Sequence, residues 1–231
     1  MTSSSPLTPQ ERARRIKLLI FDVDGVLTDG GIWLFPVPAP ASGPADEPAR
    51  FWNHETGEPA APMASQGAAS SQSAVEAKGF SAHDGTGISL AKLAGIKCAI
   101  ITRRISETVA LRARDLRIEY VYMGQAYKMQ AVREMMAKEG IGLEAIAYVG
   151  DDIIDLPVMR VCGLAVAVAN ARAQVKAAAH YVTPHEGGHG AGRDAIEFIL
   201  EAKGLLEKTI EEFIDEGHPL SADMDIGKGG F

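Results

Sequence analysis

The chain has 231 residues, 46% of them hydrophobic and 23% charged, an ordinary balance for a globular protein with room for one α/β domain and an appendage. Its formal net charge of −7 excludes a global attraction to nucleic acid or to an anionic membrane surface, so an anionic ligand needs local cations or a metal ion. No apolar run approaches the length of a membrane span, and residues 1–15, MTSSSPLTPQERARR, hold no apolar leader core. Cys98 and Cys162 lie in apolar stretches that suit buried thiols, and a soluble, cytoplasmic protein is the expectation.

In chain order, residues 1–15 read as a flexible N-terminus, and the first strand is KLLIF, Lys17 to Phe21. The flanks GIWLF and VEAKGF alternate as two arms of a hairpin. Between them, at about 36–74, the chain is rich in Pro, Ala, Ser and Gly and reads as flexible, with ARFWNHETGE an island able to form a short strand and turn. Strands then follow at Lys97–Thr102, Ile118–Met123, Ala145–Gly150, Leu164–Ala169 and Tyr181–Thr183. Helical patterns cover Gly85–Ala94, Ser106–Leu116, Lys128–Glu139, Asp155–Val161 and a stretch from about Asp194. FILEAKGLLEKTIEEFI reads as an amphipathic packing helix, and the residues after Ile214 as a frayed end. Alternation of strand and helix argues for a parallel sheet, and the near-continuous apolar runs for strands covered on both faces. The division is a single α/β domain over 16–204 with an insertion at 36–74, then a C-terminal helix and disordered tail over 205–231.

Ligands of such sheets gather at the carboxyl ends of the strands. There the first strand delivers Asp22 and Asp24, the second Thr102 followed by Arg103 and Arg104, the third GQAYK with Lys128, and the fourth Asp151 and Asp152, with Asp155 one turn on. Acids, a hydroxyl and a lysine on one edge suit Mg²⁺ and a phosphoryl group. Asp22 and Asp151 are placed as metal ligands, with a backbone carbonyl near Asp24 as a third. Asp22 can attack phosphorus, Asp24 can move the proton, and Thr102 and Lys128 can hold phosphoryl oxygens. Gly25 lets the backbone turn closely there.

DVDGVLTDG, IIT, Lys128 and GDDIIDLP resemble the four motifs of the haloacid dehalogenase superfamily. GFSAHDGTGI, YMGQAYK, AYVGDDIIDLPVM and GGHGAGRDA resemble, in the same order, its 3-deoxy-D-manno-octulosonate 8-phosphate (Kdo-8-phosphate) phosphatase branch. The resemblance implies a Rossmann-like α/β fold with a mainly parallel sheet, helices on both faces, a β-hairpin after the first strand and no large cap domain. It implies a Mg²⁺-dependent phosphatase of a small phosphorylated sugar acid, a homotetramer built through that hairpin, and a place in lipopolysaccharide precursor synthesis. It carries catalytic roles onto Asp22, Asp24, Thr102, Lys128 and Asp152, the last orienting the site. Metal binding falls to Asp22, Asp24 and Asp151. Substrate contact falls to Asp24, His83, Asp84, Arg104, Arg112, Lys128 and Arg193, and Arg193 lies in a loop that reaches a neighbouring subunit's site. Arg103 stands where the family usually has glycine, and Ser89 where relatives often carry a basic residue.

Simpler readings stand beside these. Asp155 suits the first-turn charge of its helix, Asp84 a helix cap, Arg112 surface solvation, and His185 and His189 a solvated loop. Ser106 is the better N-cap of its helix than Thr102. The alternative functions are a phosphatase of another 2-keto-3-deoxy sugar acid phosphate, such as a nonulosonate 9-phosphate, and a non-catalytic oligomeric partner of the same fold.

Overall fold

Leu18–Phe21 forms the first strand of the core, and each of its residues is buried. The computed structural model describes residues 7–36, 52–53, 58–59 and 74–215; the low-complexity reading of the insertion and the frayed tail fall mostly outside them. Helix α1 spans Pro9–Ala13, β1 Leu18–Phe21, β2 Trp33–Pro36, β3 Trp52–Asn53, β4 Glu58–Pro59, β5 Ala74–Ala77, α2 Ala82–Leu93, β6 Lys97–Ile101 and α3 Glu107–Asp115. There follow β7 Tyr120–Tyr122, α4 Lys128–Glu139, β8 Ile146–Gly150, α5 Leu156–Met159, β9 Leu164–Ala167, α6 Ala173–Ala178, β10 Tyr181–Val182, α7 Ala191–Lys203 and α8 Leu206–Ile214.

Contacts divide the chain into two units, Trp33–Ala77 and the remainder. In the smaller unit β2 and β5 pair antiparallel, with Trp33 opposite Ala77 and Pro36 opposite Ala74, on the two arms read as a hairpin. Asn53 pairs with Glu58 inside the island expected to form a strand and turn, and Trp52 with Pro59, one residue beyond it.

In the larger unit six strands lie in the order β10-β9-β8-β1-β6-β7, every neighbouring pair parallel. The chain runs outward from β1 through β6 to β7, then returns to start again at β8 on the other side of β1. That reversal opens a crevice at the carboxyl ends of β1 and β8, the usual place for a ligand in an open α/β sheet. β1, β8 and β9 are buried along their whole length, because helices cover both faces. α7 packs with α1, α2 and α8, and α2 with α8, while α5 packs with α4 and α6. Truncating a core residue such as Ile20 to Ala would cost about 2–5 kcal/mol.

Three local readings change. Residues 9–13 are not a flexible end: Thr8 and Glu11 form a capping box with Pro9 at the first helical position, and Arg12 donates to the Gly163 carbonyl at 2.9 Å. TPQE carries that signature in the sequence. The stretch from Phe198 to Ile214 is two helices rather than one, broken at Gly204, whose φ of +68° ends α7. The helix expected from Gly85 begins at Ala82, one turn earlier, with Ser81 extended at its N-cap.

Candidate active site

β1 ends at Phe21, and the next residue, Asp22, is 3% exposed. One of its oxygens accepts the Val23 N–H at 2.7 Å; the other meets Lys128 Nζ at 2.7 Å. Lys128 is the first residue of α4 and almost wholly buried. Its ammonium has three protons to donate and three close partners: Asp22, Asp155 Oδ1 at 2.7 Å and the Tyr148 hydroxyl at 2.9 Å. Tyr148, fully buried in β8, donates in turn to Asp155 Oδ1 at 2.7 Å, and burial pushes its phenol well up from the ordinary range.

Asp155, with no exposure at all, is the hub of this set. Its Oδ2 accepts the N–H groups of Asp151 and Asp152 at 3.0 and 3.3 Å, fixing the chain that follows β8. Asp155 orients the site in this geometry, beside Asp152, to which resemblance gave that part. Asp152 is exposed, and its carboxylate accepts the Ile153 N–H at 2.7 Å and forms a capping box with Asp155, each side chain accepting the other's backbone N–H. Asp155 looked like a first-turn charge because sequence does not show that Lys128 and Tyr148 converge on it.

Oxygens of Asp22, Asp151 and Asp155 lie within 4.8 Å of one another. Three carboxylates against the one ammonium of Lys128 leave two negative charges when all are ionised, which a divalent cation would balance. Asp151 Oδ1 is buried without a partner. Desolvation first, then Asp155 and Asp22, push the Asp151 carboxyl up to about 7. Desolvation and Asp155 raise Asp22 to about 6 against the opposing pull of Lys128. An unpartnered oxygen among mutually repelling carboxylates fits a hard, oxygen-seeking ion such as Mg²⁺. Asp155 already holds four hydrogen bonds, so Asp22 and Asp151 are the carboxylates available to it.

Gly25 explains the close approach. Its φ is +89°, and a Cβ there would lie 2.3 Å from Asp151 Oδ2, so only glycine lets the two turns meet. The GGHG loop braces the same turn from outside: Gly188 N–H donates to the Val26 carbonyl at 2.9 Å, and a Cβ on Gly187 would fall 1.8 Å from the Gly25 carbonyl oxygen. His185, read as solvated, is exposed but held, with Nδ1 2.9 Å from Asp194.

Asp24 carries an ion pair with Lys78, a residue that motif reasoning passed over. Thr102 is 2% exposed and accepts the Arg104 N–H at 3.2 Å, so its own hydroxyl proton remains to be given. Ser106, not Thr102, caps α3.

Residues assigned to the sugar are placed differently. His83 and Arg104 are exposed. Asp84 is 3% exposed and turned inward: Oδ1 accepts the Arg193 N–H at 2.8 Å at the start of α7, and desolvation raises its carboxyl to about 6. In this geometry Asp84 Oδ1 caps α7, while its Oδ2 is buried without a partner beside a pocket that Phe80, Ser81 and Arg112 also line. Gly87 and Gly192 let α2 and α7 cross closely, since a Cβ on either would meet Arg193 Cδ at 2.9 Å or Asp84 Oδ1 at 3.0 Å. Arg112 pairs with Asp115 at 2.7 Å and lies along Gly85, and Arg193 pairs with Glu197 on its own helix.

Comparison with known proteins now bears on this edge. Residues 97–193 match the haloacid dehalogenase-like hydrolase family. A 3-deoxy-D-manno-octulosonate 8-phosphate phosphatase of Salmonella typhimurium is 36% identical over 210 residues, covering 90% of this chain and 93% of that protein. The chain belongs to the 3-deoxy-D-manno-octulosonate 8-phosphate phosphatase family. A solved Kdo-8-phosphate phosphatase from Yersinia pestis shares 37% identity at a TM-score of 0.66, covering 86% of this chain and 88% of that one. Another, from Moraxella catarrhalis, was solved with magnesium, phosphate and Kdo; it shares 33% identity at a TM-score of 0.69, over 89% of this chain and 97% of that one. Like the family, this chain is a hydrolase with a parallel α/β core, and no helix among the described residues is long and apolar enough to cross a membrane.

Proposed function

We propose that this chain is a Mg²⁺-dependent phosphatase that converts Kdo-8-phosphate to Kdo and phosphate through an aspartyl-phosphate at Asp22. The observation that carries the reading is the buried set of Asp22, Lys128, Asp155 and Tyr148, which with Asp151 and its unpartnered oxygen has two negative charges in excess when all three acids are ionised. Asp22, Asp151 and the Asp24 main-chain carbonyl would hold Mg²⁺, which supplies the positive charge that lets an anionic ester approach an anionic nucleophile.

The protein groups do the rest. Asp22 forms a bond to phosphorus as the bond to the sugar oxygen breaks, and Asp24 gives that oxygen its proton. Asp24 then takes a proton from the water that attacks phosphorus, releasing phosphate and restoring Asp22. Thr102 and Lys128 donate to the phosphoryl oxygens as charge shifts among them. Lys128 must then exchange one of its three present partners for phosphate.

Exposed His83 and Arg104 are the groups at hand for the sugar carboxylate and hydroxyls. Trp33, Leu34, Phe35 and Val75, all exposed on the hairpin, support assembly into the homotetramer expected of the family. Cytoplasmic placement and a part in lipopolysaccharide precursor synthesis belong to the same reading.

Phosphate release with Mg²⁺ and with chelator tests it, across Kdo-8-phosphate, a nonulosonate 9-phosphate, arabinose 5-phosphate and p-nitrophenyl phosphate. Metal-dependent preference for Kdo-8-phosphate is the expected result. Release from the nonulosonate ester alone would move the substrate while keeping the chemistry. Absence of metal-dependent release from all four would leave a non-catalytic partner of the same fold.

A further inference from the structure

Lys78 belongs to no motif, yet its side chain has no exposure, and its ammonium is bonded to Asp24 Oδ1. An ammonium taken out of water is costly unless it is paired, so this is not a solvating surface charge. The pairing spans 54 residues of sequence and is held in register. An antiparallel bridge joins Thr28 to Phe80, two residues beyond Lys78. Thr28 is fully buried and tied to the turn after β1, its N–H and hydroxyl both donating to the Val23 carbonyl at 3.0 and 3.2 Å. The backbone that carries Lys78 is thus fixed to the turn that carries Asp24.

Asp24 itself needs such a hold. Its side chain is 24% exposed, and it sits at the kink of the turn, with ψ of 113° ahead of Gly25 at φ +89°. A carboxylate free to change rotamer there would spend much of its time away from the reacting oxygen. We propose that Lys78 is a positioning residue for Asp24: by holding Oδ1 it presents Oδ2 to the oxygen leaving phosphorus, and then to the attacking water. The proton passes from Oδ2 to the departing sugar oxygen and returns to Oδ2 from water, while the Lys78 ammonium keeps its own protons throughout. This rests on the phosphatase reading above.

The test is the first turnover, followed as release of the alcohol so that the later attack of water does not enter. Two esters are compared in Lys78→Met and Lys78→Gln: Kdo-8-phosphate, whose alkoxide needs a proton to leave, and p-nitrophenyl phosphate, whose phenolate does not. Sugar release is expected to slow about tenfold or more, within the range of a general acid's contribution, at an unchanged half-saturating concentration. Nitrophenolate release should slow by less than about twofold, and Lys78→Arg should recover most of the sugar rate. Equal slowing on both esters, or a loss carried by half-saturation, overturns the proposal while leaving the phosphatase reading intact. Wild-type protein that releases neither alcohol removes both together. Failure of both variants to fold, judged by thermal unfolding, assigns Lys78 to the fold instead of to Asp24.

Discussion

Two groups of charged residues meet the carboxyl edge of the sheet, and they are built in opposite ways. The set proposed to meet the phosphoryl group, Asp22, Lys128, Asp155 and Tyr148, is buried, and its contacts run from 2.7 to 2.9 Å. The set proposed to meet the sugar is exposed, as with His83 and Arg104, or engaged in helix contacts, as with Asp84 against α7 and Arg193 within it. Phosphoryl transfer needs preorganised charge, and strand ends supply it because the core fixes them. Recognition of a sugar tolerates solvated side chains that settle when the ligand arrives.

Lys128 against Arg104 should break the comparison most sharply. Lys128→Ala is expected to lower turnover about a hundredfold or more, and to cost roughly 3–5 kcal/mol in stability by leaving buried carboxylates unpaired. Arg104→Ala should instead raise KM about tenfold with an unchanged melting temperature, since it removes an exposed cation. Steady-state kinetics and thermal unfolding of both variants check this, and a large stability loss at Arg104 would erase the distinction.

Within the buried group, Asp155→Asn should lower turnover about tenfold and weaken Mg²⁺ binding, because it disturbs both Lys128 and the chain at Asp151. Asp152→Asn should change stability by no more than about 0.5 kcal/mol, as an exposed carboxylate usually does. Similar losses in the two variants would return the orienting part to Asp152.

A smaller effect appears in the pH dependence of the metal-free protein. Asp22 and Asp84 are raised to about 6 and Asp151 to about 7, so the fold favours their protonated forms. Their contribution is therefore greatest below the ordinary carboxylate range and is lost as pH rises through 6 and 7. Melting temperature in chelator should fall from pH 5 to 7.5 by a few degrees, on the order expected for about 1 kcal/mol. Mg²⁺ favours the ionised forms of Asp22 and Asp151, so it should stabilise more at pH 7.5 than at pH 5 and release protons on binding. Asp84 serves α7, so its part of the decline should persist with Mg²⁺ present. A Mg²⁺ effect independent of pH would contradict these shifts.

Much of this was legible in the chain itself. Strands with buried faces on both sides are continuous apolar runs, and acids, Thr102 and Lys128 stand at their ends by simple adjacency, so periodicity and position reveal them. Lys78, Tyr148 and the inward turn of Asp84 were not legible, because each depends on a partner brought near only by folding: Asp24, Lys128 and the α7 amides. The capping box at Thr8 and Glu11 was readable from TPQE, but its polar, arginine-rich surroundings hid a helix that docks through Arg12 and Arg14 and buries Ala13. Gly204 divided a helix whose apolar period runs on past the break.

The most direct test of the central claim is to quench the Mg²⁺-loaded enzyme during turnover of Kdo-8-phosphate, reduce it with borohydride and map the peptides by mass. An acyl-phosphate at Asp22 would be converted to homoserine at that position and at no other, which is the predicted result. Sustained phosphate release with residue 22 still aspartate in every quenched sample, or homoserine at Asp24 or Asp151, would contradict it.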